Sequence, residues 1–355
     1  MTTLRLLRGI PSMQLARDRK LRSALFLCMV LPLVACASDD TGAERQADKI
    51  RAVVPPFLTS APFYIAAAEG FFAAENLDVE FVRLARYVDG LPALAQGQVD
   101  VGVGQLTVSV LNAMSGGARI RAVAGSGHLE PDGCAFMGVV VRQGLFGDGQ
   151  ALDPDLLRGS RARIDLVVPQ AYWLDRALQS QGLTLNDLEA VNVPAAAMVD
   201  GFIGNSFDIV VPTEPQLTRL ARFSDESVLW RSIGETDPGY QVSLVFFGPT
   251  LLDERPGIGN RLLIALARGM RQYRLGKTER NLDILEQATQ LSREELTAMC
   301  WVPIDSDGRV RAEGFAGYQQ WAEERGLVDR ILTDEEMIDR RFLTAANAAS
   351  RTARD

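Results

Sequence analysis

The chain has 355 residues, 47% of them hydrophobic and 23% charged. That is ordinary for a folded globular protein, and the length suits about two domains, each with its own core. The formal net charge of −8 is uneven: residues 1–35 hold six Lys+Arg and one acid, a net of +5, so residues 36–355 carry −13. Such an acidic body makes nucleic acid or an anionic membrane surface a poor partner.

Taken in order, the chain opens on a leader. Arg17, Arg19, Lys20 and Arg22 precede the apolar run Ser23–Ala35. That run is shorter than the roughly twenty residues needed to span a bilayer and fits the core of a signal peptide. It ends Leu33-Val34-Ala35-Cys36, which resembles the lipobox of bacterial lipoproteins, in which the cysteine is lipidated and becomes the new amino terminus. The alternative is cleavage after Ala37 and release of a soluble protein. Residues 1–35 are therefore expected to be a lipoprotein signal peptide and 36–48 a flexible tether, with two acyl signals holding the body stably outside the cytoplasm.

Lys49–Val54 reads as a short strand broken by Pro55-Pro56, and Pro62–Phe72 as a helix with proline in its first turn. Leu77–Leu84 alternates as a strand should. The stretch Leu91–Ala113, LPALAQGQVDVGVGQLTVSVLNA, reads as helix, glycine stop at Gly97, strand Val101–Gly104, then a loop opening into another helix. Ile120–Ala124 and Phe136–Val141 are further strands around the loop Gly125–Gly133. The same grammar recurs in Ala195–Leu220, with Gly204, Asp208, strand Ile209–Val211, and Thr213-Glu214 before a new helix. Ile164–Val168 and Leu188–Val193 are strands, Tyr172–Gln181 a helix, and Ser227–Trp230 a last short strand. Gln241–Phe247 is apolar throughout and could return the chain to the first lobe, after which the pattern is helical. There Ile258, Leu262, Leu266, Met270 and Tyr273 share one helix face. Residues 344–355 read as a frayed tail. The alternation of strands and helices argues for α/β lobes with parallel sheets, two of them, facing each other across a cleft.

The order of these features resembles the extracytoplasmic solute-binding proteins of ABC importers for nitrate, sulfonates, taurine and thiamine pyrimidine precursors. The residues that carry the resemblance are 62–81 (PFYIAAAEGFFAAENLDVEF), 91–104, 207–217 (FDIVVPTEPQL), 246–273 and 319–339. It implies a two-lobed periplasmic-binding-protein fold, type II-like, with the ligand cleft between the lobes. Lobe 1 would comprise 49–135 and the helical return 241–343, and lobe 2 would be 136–240 with hinge strands. It also implies a small-molecule ligand, permease subunits as partners, a monomer on a lipid anchor, and no cofactor or metal.

Ligands in such folds sit at strand carboxyl ends, against helix N-termini. Five loops qualify: 55–64, 104–109, 125–133, 169–173 and 211–217. Their polar and aromatic members are Phe57, Tyr64, Gln105, Thr107, His128, Gln170, Tyr172, Thr213 and Glu214. Glu214-Pro215 matches the family's acidic-proline step at a helix start, which ranks Glu214 first. None of the five loops contains Arg or Lys, and an anion-specific pocket usually recruits a cation. The expected ligand is therefore planar and neutral or weakly cationic, such as an aminopyrimidine stacked by Tyr64 or Tyr172, with Glu214 accepting from its amino group. The alternative within the family is a sulfonate, taurine or nitrate.

A reading of another class is an extracytoplasmic enzyme on this fold using Cys134 and His128. His128 is the sole histidine, so every histidine-based triad or metal site would have to use it. The cysteine-rich iron motif of the eukaryotic pyrimidine synthase, CCCFC, is absent from the sequence. Cys134 and Cys300 could pair in an exported protein, a matter that spacing leaves open.

Overall fold

A computed structural model of the protein describes residues 46–84, 90–147 and 151–352. The leader, Cys36 and most of the tether lie outside these residues. Two five-stranded sheets organise the rest, and both belong to one compact unit.

In the first lobe, β1 (Asp48–Val53) is followed by α1 (Ala61–Ala68), α2 (Phe71–Ala74) and β2 (Leu77–Phe81). Then come α3 (Gly90–Ala95), β3 (Val101–Gly104), α4 (Val108–Ser115) and β4 (Arg121–Gly125). The helix predicted over 62–72 is divided at Gly70, which takes a positive φ of 69°. Gly97 also takes a positive φ, 67°, just beyond α3, the left-handed step expected there. The chain then crosses to the second lobe: β5 (Gly138–Arg142), α5 (Pro154–Leu157), β6 (Arg161–Arg163), α6 (Pro169–Gln179) and β7 (Glu189–Val191). After these come α7 (Met198–Ile203), β8 (Ile209–Val210), α8 (Gln216–Phe223), β9 (Ser227–Ser232) and α9 (Ile233–Thr236). A second crossing delivers β10 (Leu244–Phe247) back to the first sheet, as the apolar run Gln241–Phe247 predicted.

The two sheets share one plan. The first runs β2-β1-β3-β10-β4 and the second β7-β6-β8-β5-β9. In each, the lobe's own first three strands pair in parallel, as expected from the helix crossovers. The fourth place is taken by the strand that has just crossed from the other lobe, and it runs antiparallel to both neighbours. The sheets are therefore mixed where the sequence predicted parallel ones, because the hinge strands enter from the opposite end.

After β10 the chain is helical: α10 (Pro256–Tyr273), α11 (Glu279–Thr289), α12 (Arg293–Ala298), α13 (Phe315–Glu324), α14 (Asp334–Met337) and α15 (Arg341–Thr352). The predicted stripe Ile258, Leu262, Leu266, Met270 and Tyr273 is buried on α10. Of the tail expected to fray, residues 344–352 continue α15, with Ala346 fully buried and Phe342 meeting Phe247 edge-on at 5.1 Å, and residues 353–355 lie outside the described residues. An amphipathic helix with a docking face does not fray. Among the described residues no helix is long and apolar enough to cross a membrane.

Candidate functional site

The predicted loops converge along the seam between the sheets. Crossing residues 126–137 and 233–243 run side by side: Ser126 N–H donates to Ser243 C=O at 2.9 Å, Val242 N–H to Gly127 C=O at 2.9 Å, and Leu129 N–H to Tyr240 C=O at 2.9 Å. Around them the loops meet in pairs. Ser126 Oγ donates to the Thr59 carbonyl, joining loop 55–64 to the first crossing. Val108, the first residue of α4, sends its N–H to the Val167 carbonyl at 3.0 Å, so lobe 1 and lobe 2 touch directly. Trp173 of α6 packs its ring edge-on against Tyr240 of the second crossing, 4.6 Å between centroids. Glu214 N–H donates to Phe136 C=O at 3.0 Å, joining loop 211–217 to the first crossing.

Individual residues take different roles within that seam. Thr107 caps α4, its hydroxyl accepting from Val110 N–H at 3.3 Å, and Gln105 stands half-buried beside it. Tyr172 is buried; its hydroxyl accepts from Arg176 at 2.8 Å and its ring meets Tyr318 edge-on at 5.8 Å. Tyr64 turns back into lobe 1, its hydroxyl donating to Val54 C=O at 2.8 Å and its ring edge-on to Phe81. Phe57 is exposed, and Thr213 is half-buried in a bridge to Met137.

His128 is buried within the crossing itself. Its Nε2 lies 3.2 Å from Glu130 Oε1 and its Nδ1 3.9 Å from Asp305 Oδ2, an acid that Arg311 grips at 2.9 and 3.1 Å. Burial pulls the imidazole below its ordinary value, opposed by the two carboxylates.

Glu214 is buried with its carboxylate committed. Oε1 accepts from Cys300 N–H at 2.9 Å and Thr218 hydroxyl at 2.8 Å, while Oε2 accepts from Thr218 N–H at 3.0 Å. Burial pushes its carboxyl above the ordinary range, against the pull of these donors. The residue ranked first from sequence is thus turned into the protein, away from a role as ligand acceptor. Cys134 and Cys300 form a disulfide with Cα atoms 5.6 Å apart. Cys134 therefore carries no free thiol, and the Cys134–His128 nucleophile loses its reactive atom.

Several seam residues escaped the sequence reading. Among the described residues, buried side-chain polar atoms with no hydrogen-bond partner are found on Ser60, Gln170, Trp173, Gln216, Asp237, Tyr240 and Tyr318. Every one of these seven lies on a predicted loop, on the second crossing or on α13. Buried polar atoms are almost always paired, so such a cluster demands an explanation. Burial raises the Tyr240 and Tyr318 phenols strongly, Tyr318 being opposed by the nearby Val108 N–H. Tyr172, Tyr318 and Trp321 surround one another, with Tyr318 and Trp321 stacked at 6.0 Å. Charge reaches the seam as well. Arg176 pairs with Asp237 at 3.2 Å, and burial holds the Asp237 carboxyl above its usual range. Arg163, at the carboxyl end of β6, donates Nε to Val193 C=O at 2.8 Å and is held below its usual value by burial. Tyr240 and Tyr318 carried no local signal, because neither stands at a strand-to-helix turn.

The comparisons with known proteins can be set on this geometry. Residues 58–137 match the family model described as NMT1/THI5 like. That match spans under a quarter of the chain. No curated protein sequence matches it significantly. Among solved structures, the ligand-binding component of an ABC-type import system from Staphylococcus aureus, with zinc bound, is similar at 12% identity and TM-score 0.67, over 84% of this chain and 99% of that one. The periplasmic aliphatic sulphonate binding protein SsuA from Escherichia coli is similar at 17% identity and TM-score 0.64, over 82% of this chain and 92% of that one. The desulfurization enzyme DSZB is similar at 14% identity and TM-score 0.61, over 86% of this chain and all of that one. These likenesses show the fold, the two-lobed periplasmic-binding-protein fold that the sequence resemblance implied. That fold houses both binding and catalysis, so function has to be argued from the site. Among the described residues no group of three or more His, Cys, Asp or Glu is placed to hold a metal ion.

Proposed function

We propose that this chain is the extracytoplasmic solute-binding component of an ABC importer, anchored through a lipidated Cys36 and acting as a monomer. Its ligand is a small planar organic molecule, neutral or weakly cationic, such as a thiamine pyrimidine precursor. One observation carries the reading: among the described residues, the buried polar atoms that lack partners all fall on the strand-end loops, the second crossing and α13, the segments that meet along the seam. An unpaired buried donor or acceptor costs about 1–3 kcal/mol, a penalty that a ligand bearing amino, ring-nitrogen or hydroxyl groups would remove. Gln170 Oε1 would accept, Trp173 Nε1 would donate, and Ser60, Tyr240 and Tyr318 could do either. Gln105, Thr107 and Tyr172 border the same seam, Tyr172 offering an aromatic face. Closure follows from contact with both lobes, since a ligand that touches both only when shut shifts the population toward the shut form.

A second reading, an anionic ligand such as a sulfonate, is favoured by Arg163. It is a partly desolvated cation at the carboxyl end of β6. Catalysis is the weaker reading, with the Cys134 sulfur already bonded to Cys300. Mass spectrometry of whatever small molecule survives purification identifies the class, and calorimetric titration checks it. Tight binding of an aminopyrimidine with none of alkylsulfonates is expected; the reverse pattern rejects the neutral-ligand reading and leaves the anion reading in place.

A further inference from the structure

Two edges of the seam are held by contacts outside the crossings, and they are built differently. On one edge α8 of lobe 2 meets α12 from the helical return. Arg219 pairs with Glu295 at 2.7 Å and Arg222 with Glu294 at 3.0 Å. Beneath these surface pairs the buried Glu214 carboxylate takes the Cys300 N–H, and Cys300 is bonded to Cys134. Cys134 stands two residues before Phe136, whose carbonyl accepts from Glu214, and three before Met137, which bridges Thr213. It is therefore fastened to lobe 2. Cys300 is fastened to lobe 1: Lys277 donates to the carbonyls of Thr297 (2.6 Å) and Met299 (2.9 Å), and Tyr273 to that of Val302 (2.9 Å).

On the other edge α6 of lobe 2 meets α13. Buried Asp175 accepts from Trp321 Nε1 at 3.1 Å and Arg325 Nη2 at 2.8 Å, and the rings of Tyr172, Tyr318 and Trp321 interleave. The turn just after α13 returns to lobe 1, where Asn112 donates to Leu327 C=O at 2.9 Å. No covalent bond joins this edge.

We propose that the Cys134–Cys300 disulfide is a third covalent connection between the lobes, making the α8–α12 edge the stationary pivot of opening and α6–α13 the edge that parts. Hinge motion is absorbed by few residues, and contacts at the pivot survive in both states. Glu214 acts there as a positioning residue: its carboxylate keeps the Cys300 backbone against lobe 2 while the opposite edge releases Asp175 from Trp321 and Arg325, and Val108 from Val167. The claim concerns mechanics alone and does not depend on which solute binds.

Hydrogen–deuterium exchange of the ligand-free oxidised protein tests it. Amides of residues 169–179 and 315–325 should exchange faster than those of 213–223 and 293–301, by about tenfold or more where local opening governs the rate. Equal or slower exchange at the α6–α13 edge overturns the proposal. The double variant C134S/C300S should bring the α8–α12 amides toward the rate of the other edge, and no change there also overturns it. Should that variant fail to fold, the comparison of the two edges in the unaltered protein decides the matter alone.

Discussion

The two strand-to-helix turns, Asp100–Thr107 in lobe 1 and Asp208–Glu214 in lobe 2, start alike and end differently. At the start, each aspartate precedes a central strand and clasps the strand beside it from both sides. Asp100 N–H donates to Arg51 C=O at 2.8 Å, while its carboxylate accepts from Arg51 N–H at 2.8 Å. Asp208 repeats this with Arg161, at 2.7 and 3.4 Å. The recurring aspartate is thus a strand clamp onto β1 and β6, and its recurrence reflects one job done twice. At the helix end the lobes part company. Thr107 caps its own helix and stays at the seam, whereas Glu214 turns inward to hold Cys300. A shared sequence grammar therefore places the turns, and the last side chain decides whether a turn serves the seam or the frame.

The sharpest way to break this contrast is at Glu214. Glu214→Ala would leave the buried Cys300 N–H and the half-buried Thr218 N–H without an acceptor, for a loss of about 2–4 kcal/mol in chemical denaturation, each orphaned group costing about 1–3 kcal/mol. Thr107→Ala, the matching change in lobe 1, removes one long cap bond and should cost about 1 kcal/mol or less. A Glu214→Ala variant as stable as the parent would mean that the inward turn holds nothing. The pH dependence has a definite sign. Since burial raises the folded carboxyl above its ordinary 4.5, the folded chain keeps a proton that the unfolded chain has released. Through that window Glu214's contribution to stability falls as pH rises, and Glu214→Gln should flatten this part of the stability–pH curve.

A smaller difference separates the two clamps. Asp208 also pairs with Arg142 at 3.2 Å, a side chain 15% exposed, and with the Arg161 guanidinium at 3.2 Å. Among the described residues the Asp100 carboxylate accepts from the Arg51 N–H alone and pairs with no guanidinium. Asp208→Ala should cost about 2 kcal/mol and Asp100→Ala about 1 kcal/mol, because hydrogen bonds to charged groups are worth about 1.5–3 kcal/mol and solvent screens the exposed share. Equal losses would mean that the arginine pairs add nothing beyond the strand clamp.

These turns were legible because they are local. Gly97 sits just past a helix, an apolar run of four residues makes β3, and proline begins α6; each follows from its neighbours in sequence. The two lobes and the crossing into β10 were legible for the same reason. What escaped depends on where distant segments dock. Nothing beside Asp175 in the sequence marks it for burial; α13, some hundred and fifty positions on, delivers Trp321 and Arg325 to it. Arg163 lies within a strand and so fell outside the loops searched for cations, although its guanidinium reaches Val193 at the strand's carboxyl end. Glu214 was placed at the right turn with the wrong orientation. Its side-chain direction is set by Cys300, whose approach no periodicity encodes.

The smallest expected effect on stability is the most telling about the seam. Among the described residues the buried Tyr240 hydroxyl meets no partner, and Tyr318 has near it only the Val108 N–H, already given to Val167, whereas the Tyr172 hydroxyl accepts from Arg176. Replacing an unpaired buried hydroxyl by hydrogen removes a desolvation penalty, so Tyr318→Phe and Tyr240→Phe should leave the ligand-free protein unchanged or slightly more stable, within about 1 kcal/mol. Tyr172→Phe should instead cost a little, since Arg176 loses an acceptor. In the presence of solute the order reverses if those hydroxyls exist to be filled: affinity should fall about tenfold in either Tyr→Phe variant, the worth of one hydrogen bond of about 1.4 kcal/mol. Thermal melts with and without the co-purified solute separate the two effects. A variant that gains stability and keeps full affinity would show that the hydroxyl serves neither the frame nor the guest. Were both tyrosines to behave so, the ligand would have to be placed at Gln170, Trp173 and Ser60 alone.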